Sequence, residues 1–210
     1  MEYPDIAALY QKLKLAATTQ NPDGSPLYTL PVIYDPNTNE TISDSTAIAQ
    51  YLDKTYPYTP ALFHQGTRAF HASFAEMARW FYASLYNVVC YAVWTRLTER
   101  SQIYYRTTRE AHLGKKLEEL RTDEDWKEAE RACDIVDKWL RANLEDGEGR
   151  DELMMGKQIC FAEIILVSGL LCAKTALGPQ SDEWARIMSW NDGKWKRIMG
   201  RFAQYAVVDI

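Results

Sequence analysis

The chain has 210 residues, enough for one large or two small domains with ample core. A hydrophobic content of 47% and a charged content of 25% belong to soluble globular proteins and exclude a disordered or fibrous chain. The formal charge of -5 argues against a nucleic-acid surface.

Glu2-Tyr3-Pro4 reads as an extended start, followed by a short helix from Asp5 to about Leu15, capped by Asp5 with Ile6, Leu9 and Leu13 on one face. Asn21 to Pro26 is a Pro/Gly loop. Leu27 to Asp35 reads as a strand in which Tyr28, Leu30, Val32 and Tyr34 are period-2 apolar positions. Asp35-Pro36-Asn37-Thr38-Asn39 is dense in turn chemistry, and a second short strand follows at Glu40 to Ser43. A helix then opens at Asp44-Ser45, with Ile48 and Leu52 on one face and Pro57 just past its end.

Two features of this hairpin and helix bear on chemistry. Pro31 lies in an apolar strand, where a missing N–H weakens a ladder. A cis Leu30-Pro31 bond is one way to tolerate it, and it turns the backbone of Val32 outward, free to pair with something extended. Asp44-Ser45 reads either as a helix cap or as a site in which helix N–H groups and a hydroxyl hold an anion while Asp44 accepts from an ammonium. An edge offering main-chain pairing beside such a pocket suits a short zwitterionic peptide.

Residues 59–67 are a linker, within the Pro- and aromatic-rich run YPYTPALFHQGT, and the rest reads as helical. Phe70, Phe74, Met77, Phe81, Leu85, Val88 and Ala92 step by three and four along one long helix. Its other face carries Trp80, Tyr82, Tyr86, Tyr91 and Trp94, which either line an apolar pocket or pack against a neighbour. The basic residues from Arg96 to Arg121 alternate with Glu99, Glu110, Glu118 and Glu119, the pattern of a solvated, salt-bridged face. Trp126, Ala129, Cys133, Val136 and Leu140 mark a second amphipathic helix, and Asn143 to Asp151 an acidic loop. Cys160 to Lys174 is apolar nearly all round and predicts a buried central helix. A last helix starts at Ser181-Asp182, and the Asn191-Asp192-Gly193 turn leads into a final Trp195–Tyr205 helix.

Cys90, Cys133, Cys160 and Cys172 include no C-x-x-C pair and are expected as buried, reduced thiols. His64, His71 and His112 lack metal-site spacing, so no metal is expected. The start MEYPDIAAL is not a signal peptide, and the apolar run Ile159 to Ala173 carries Glu163 and is too short for a bilayer. A cytosolic protein is expected.

LPVIYD followed by ISDSTAIAQYLDKTYP closely resembles the glutathione-binding half of the thioredoxin-like domain in glutathione transferases. PDGSPLYTLPVI, YRTTREAHLGKKLEEL and SDEWARIMSWNDGKW are similar to fungal members related to bacterial lignin β-etherases, the FuA class. The resemblance runs from about Tyr3 to the C-terminus. It implies an α+β two-domain fold: a partial thioredoxin-like domain over residues 1–58, the linker 59–67, and an all-helical domain over 68–210. It implies that Pro31 is the family's cis-proline, that the Val32 backbone pairs with the cysteinyl part of glutathione, and that Asp44 and Ser45 hold the γ-glutamyl end. In the family the central helix opens with a Ser or Thr cap and an Asp three residues on; Cys160 and Glu163 stand there, and Glu163 is expected to reach back to a backbone N–H.

The sequence departs from the family ahead of Leu27. Only the tail of a second strand fits there, so an opening strand-helix unit of about 30–40 residues is expected to be absent. That unit carries the Ser, Tyr or Cys that activates the glutathione sulfur. No catalytic residue is assigned; Ser25, Tyr28 and Ser43 are near, but nothing marks them as replacements. The expected function is glutathione transfer to, or glutathione-dependent cleavage of, an aromatic or electrophilic small molecule, with Trp80 and Tyr86 as substrate-pocket candidates. A homodimer with no nucleic-acid or membrane partner is implied. The alternative is a non-catalytic scaffold of the same fold. The same pattern is expected of an incomplete reading of a longer enzyme, with Met1 an internal start.

Overall fold

The computed structural model describes residues 1–21, 23–144, 153–156 and 158–206. The chain divides into two units, residues 1–63 with 97–108, and residues 64–96 with 109–210.

The first unit opens with a single 3-10 turn, Tyr3–Asp5, and helix α1, Ile6–Leu13, which ends where Lys14 takes a left-handed conformation. A two-residue ribbon follows, β1 (Thr19–Gln20) antiparallel to β2 (Pro26–Leu27). Next comes the hairpin of β3 (Val32–Asp35) and β4 (Glu40–Ser43), and then helix α2 (Ser45–Thr55). The fully buried residue of α1 is Tyr10, not the expected Ile6, Leu9 and Leu13 face; Leu13 is exposed. Tyr10 is drawn in by polar as well as apolar partners. Its hydroxyl donates to the Thr29 carbonyl at 2.5 Å, and its ring lies 5.1 Å from that of Tyr28. Asp5 does not cap α1, because its carboxylate accepts from Glu2 N at 3.2 Å and pairs with Arg100 at 2.7 Å.

The strand expected over Leu27–Asp35 is divided. Leu27 belongs to the first ribbon, Tyr28–Pro31 lie in no strand, and the ladder resumes at Val32. Pro31 has no N–H to donate, which removes one rung at the break. The period-2 apolar positions do not form a buried face, since Leu30 and Tyr34 are exposed, Val32 is half-buried and the one buried residue of the hairpin is Asp35. Polar anchoring, described below, fixes which face turns in. In α2 the buried pair is Ile48 and Ala49, and Leu52 is exposed.

Helix α3 (Arg68–Thr95) belongs to the second unit; α4 (Glu99–Leu113) starts in the first unit and ends in the second. The second unit continues with α5 (Asp123–Arg141), α6 (Phe161–Leu177) and α7 (Asp182–Phe202). Helix α3 packs on α5 and α6, and α7 packs on both of those. Their shared core includes Phe81, Leu85, Val136, Leu170, Ile187 and Trp195. The stripe predicted for α5 is buried throughout: Trp126, Ala129, Cys133, Val136 and Leu140. The stripe predicted for α3 is out of phase at its start. Phe70 and Met77 are exposed, and His71 and Ala78 are buried in their place. The buried positions 71, 74, 78, 81, 85, 88 and 92 alternate steps of three and four more regularly than the apolar residue types suggested.

Helix α6 is not buried all round, for Ile164, Ser168 and Cys172 form an exposed stripe stepping by four. Cys172 therefore departs from the expectation of four buried thiols; Cys90, Cys133 and Cys160 are buried and form no disulfide. At the other side of α6, Gly169 lets α3 approach. A Cβ there would stand 2.8 Å from the Tyr82 ring, whose hydroxyl donates to Ile165 O and meets Ser168 Oγ. The turn predicted at Asn191-Asp192-Gly193 interrupts α7 with three successive left-handed residues. Beside it, Lys194 and Arg141 both pair with the buried Asp137. The acidic loop expected at Asn143–Asp151 lies, from residue 145 onward, outside the described residues.

The charges between Arg96 and Arg121 pair within their own units, Arg100 with Asp5 and Arg121 with Glu183, as a salt-bridged face requires. Among the described residues no helix is long and apolar enough to cross a membrane.

Candidate functional site

The β3–β4 register runs from Val32 opposite Ser43 to Asp35 opposite Glu40. The hairpin thus has a closed end at the turn and an open end at Val32 and Ser43. At the open end the Leu30-Pro31 peptide bond is cis and immediately precedes Val32. On the other strand, Ser43 is followed at once by Asp44 and Ser45. Register alone therefore brings together all four residues that the sequence singled out here. Among the described residues, the edge of β3 away from β4 pairs with no strand.

Asp44 caps α2 while keeping half of its carboxylate in reserve. Oδ1 accepts from Thr46 N at 3.0 Å and from Ala47 N at 2.9 Å. Among the described residues Oδ2 has no donor. The cap reading and the ligand reading of Asp44 are compatible, because they use different oxygens. Its backbone sits at φ 76°, ψ 128°, a conformation that costs a side-chain-bearing residue about 1–3 kcal/mol and that the two cap bonds help hold. Ser45, the first helical residue, is exposed, and among the described residues its hydroxyl bonds to nothing. A carboxylate oxygen, a free hydroxyl and the positive end of a helix stand side by side, the donors and acceptors that an α-amino-acid head group requires.

The closed end holds a network that sequence reasoning missed. Asp35 Oδ1 accepts from Asn37 N at 2.9 Å, and Oδ2 accepts from the hydroxyls of Tyr51, at 2.7 Å, and Tyr56. Asn37 Nδ2 donates to Tyr56 at 3.0 Å, and Thr38 Oγ1 bonds to Tyr51. The phenols, Tyr56 first and then Tyr51, hold the Asp35 carboxyl below its ordinary range, and Asp35 in turn raises the Tyr56 hydroxyl above its own. In the sequence Asp35 reads only as a turn former, and the two tyrosines carry no periodic signal. Asp53, also unremarked, accepts from Leu62 N and Phe63 N and ties α2 to the start of the linker.

The remaining candidates are dispersed. Ser25 is exposed and engaged with Asp23 and Asn21 within its loop, Tyr28 packs on Tyr10, and Ser43 is the partner of Val32. Trp80 and Tyr86 are half-buried on α3, six residues apart and so on different sides of that helix. The second unit has a groove of about 620 Å³ between α6 and α7, lined by Leu171, Trp184, Met188, Met199, Lys174 and Lys196 among others. A second cavity of about 440 Å³ lies at Tyr91, Trp126 and the Arg121–Glu183 pair. Neither includes Trp80 or Tyr86.

The thiols are poorly suited to nucleophilic work. Burial raises the Cys133 thiol above its ordinary range, and burial with the Glu163 carboxylate pushes Cys160 up to about 12. Both stay protonated at neutral pH. Glu163 does reach back as expected, accepting from Cys160 N at 2.7 Å, and also from Met154 N at 2.6 Å. Among the described residues no group of three or more His, Cys, Asp or Glu could hold a metal.

Two family models match the chain: the glutathione S-transferase N-terminal domain over residues 14–61 and the glutathione S-transferase C-terminal domain over residues 69–205. Among solved structures the chain is similar to glutathione transferase GSTFuA3 from Phanerochaete chrysosporium, with 44% identity and a TM-score of 0.94, over 100% of this chain and 83% of that one. GSTFuA2 from the same fungus is 36% identical, with a TM-score of 0.94 and the same coverage of 100% and 83%. The glutathione S-transferase CsGST63524 of Ceriporiopsis subvermispora, crystallised in complex with glutathione, is 38% identical, with a TM-score of 0.91 over 100% of this chain and 84% of that one. Comparison with the curated proteins found no match.

Proposed function

The chain belongs to the glutathione S-transferase family, and from that premise we propose that it binds reduced glutathione at the open end of the β3–β4 hairpin and serves its transfer to an electrophile. The thioredoxin-like fold of the first domain, followed by a helical domain, is the family's own. The main chain of Val32 pairs with the cysteinyl residue of the tripeptide. Asp44 Oδ2 accepts from the ammonium of the γ-glutamyl residue. Ser45 Oγ and Ser45 N, at the start of α2, donate to its carboxylate. The observation that carries this reading is the register, which sets Val32 opposite Ser43 and so beside Asp44 and Ser45. The complex of the Ceriporiopsis relative with glutathione supports the choice of ligand.

In the proposed reaction the glutathione thiolate attacks an electrophilic carbon of an apolar or aromatic molecule, a C–S bond forms, and a leaving group departs with the electron pair of the bond that breaks. No side chain of this chain is assigned to activate the sulfur. Trp80 and Tyr86 are the candidates for contact with the second substrate. The reading takes residues 1–58 as the glutathione-binding domain, 59–67 as linker and 68–210 as the helical domain, with a homodimer in the cytosol as the working form. The family match favours it over a non-catalytic scaffold.

Calorimetric titration with reduced glutathione and, separately, with cysteinylglycine tests it. Glutathione is expected to saturate one site per chain, and cysteinylglycine, which lacks the γ-glutamyl residue, to bind at least tenfold more weakly, about 1.4 kcal/mol. Equal affinity for the two, or no binding of glutathione by the folded protein, would contradict it.

A further inference from the structure

We propose that Asp35 is a positioning residue for the glutathione site: through Tyr51 and Tyr56 it sets the angle at which α2 presents Asp44 and Ser45 beside the edge of β3. The proposal rests on the glutathione reading and deepens it.

Three observations carry it. First, the hairpin has almost no apolar floor. Across β3 and β4 the single buried residue is Asp35, and the others are half-buried or exposed. Beyond Ile48 and Ala49 of α2, few close-packed side chains are available to set its orientation on α2. Second, the network is complete in both directions. The turn donates through Asn37 Nδ2 to Tyr56 and through Thr38 to Tyr51, both phenols donate to Asp35 Oδ2, and Oδ1 takes Asn37 N. Every hydroxyl proton has an acceptor, and the carboxylate is satisfied on both oxygens, the condition under which a polar cluster specifies one arrangement. Third, two of the three anchors lie away from the site along the same two elements. Asp35 and Tyr56 stand at the far ends of β3 and α2, Tyr51 partway along α2, and Val32 and Ser45 at the near ends. With a rise of about 1.5 Å per residue, Tyr56 is about 16 Å from the first turn of α2, so a tilt of about 5° moves Asp44 and Ser45 by more than 1 Å. Displacements of that size are large against the tolerance of about 0.5 Å within which a constellation recognises its ligand.

The cluster does not touch the ligand in this arrangement, and α2 keeps its cap, its apolar contacts through Ile48 and Ala49, and its link to Leu62 and Phe63 through Asp53. Losing the clamp should therefore misaim the helix without unfolding it.

The test is the double variant Tyr51→Phe, Tyr56→Phe, which removes both donors and keeps both rings, with Tyr56→Phe alone as the milder change should the double variant fail to fold. The expected result is a cooperative thermal transition, a glutathione Kd raised about tenfold or more, and an unchanged Kd for cysteinylglycine, so that the preference conferred by the γ-glutamyl residue disappears. A general loss of stability would weaken both ligands together. Residual dipolar couplings of α2 and β3 amides, measured without ligand, report the angle between the two elements and are expected to differ from those of the natural chain. Unchanged couplings, or a glutathione Kd within twofold of the natural chain's in a folded variant, would overturn the proposal. Failure of the glutathione reading shows separately, as absence of binding by the natural chain, and the couplings then decide the positioning role alone.

Discussion

Val32 and Ser43 stand opposite each other at the open end of the β3–β4 ladder, and this pairing places the main chain of Val32 beside the Asp44-Ser45 start of α2. A one-residue slip in register would turn the strand over and separate the two halves of the site. The proposed binding of glutathione rests on a hairpin of four residues a side.

Asp44 separates stability from binding. Asp44→Ala removes two cap bonds, costing about 1 kcal/mol, and leaves the positive φ in place. Asp44→Gly loses only a few tenths as a cap and relieves about 1 kcal/mol or more of backbone strain. The expected order of melting temperature is Gly at or above the natural chain, with Ala below, while both variants lose glutathione affinity. Calorimetry and a thermal melt on the three proteins check it.

Glu163 is buried and satisfies two amides, Cys160 N and Met154 N. Glu163→Ala leaves both without an acceptor and is expected to destabilise by about 2–4 kcal/mol. Glu163→Gln, which still completes a capping box, is expected to cost about 1 kcal/mol. Urea unfolding of the two variants distinguishes the roles of hydrogen bonding and shape.

Asp137 makes stability depend on acid. Burial raises its carboxyl, but Lys194 and then Arg141 outweigh that and hold it below the ordinary range. A carboxyl depressed in the fold adds stability that is fully present above its unfolded value of about 3.9 and is lost as pH falls through the folded value. Lys194→Met strands the carboxylate with the half-exposed Arg141, and a loss of roughly 3 kcal/mol at pH 7 is expected. Because that loss shrinks as the carboxyl is protonated, the variant and the natural chain should converge in urea titrations as pH falls through the folded value, below the ordinary carboxylate range.

Gly169 is the contact point of α3 and α6. Gly169→Ala forces the Tyr82 ring back from 2.8 Å while its hydroxyl is bonded to Ile165 O and Ser168 Oγ. The expected cost is about 1–3 kcal/mol. Combining it with Tyr82→Leu should recover much of that cost, and a double-mutant cycle in urea measures the coupling.

Much of this arrangement is legible in the residues, and the gaps have physical causes. The turn and second strand of the hairpin, the start of α2, the α5 stripe and the break in α7 rest on local rules of turn chemistry, capping and period, and each is where those rules put it. The phase of α3 is not legible, because Phe70 and Met77 have the chemistry of core residues and His71 and Ala78 do not, yet packing buries the second pair. The exposed stripe of α6 is likewise hidden in a sequence that is apolar on every side. Asp35 is invisible for a different reason: its partners Tyr51 and Tyr56 are 16 and 21 residues away, and only the folded hairpin brings them together.

The measurement that tests the central claim most directly is an amide-resolved NMR titration of the natural chain with reduced glutathione. The account predicts saturable shifts concentrated at Val32, Ser45, Thr46 and Ala47, with the α5 and α7 amides unmoved. Saturable shifts centred elsewhere, or none in a spectrum that shows a folded protein, would contradict it.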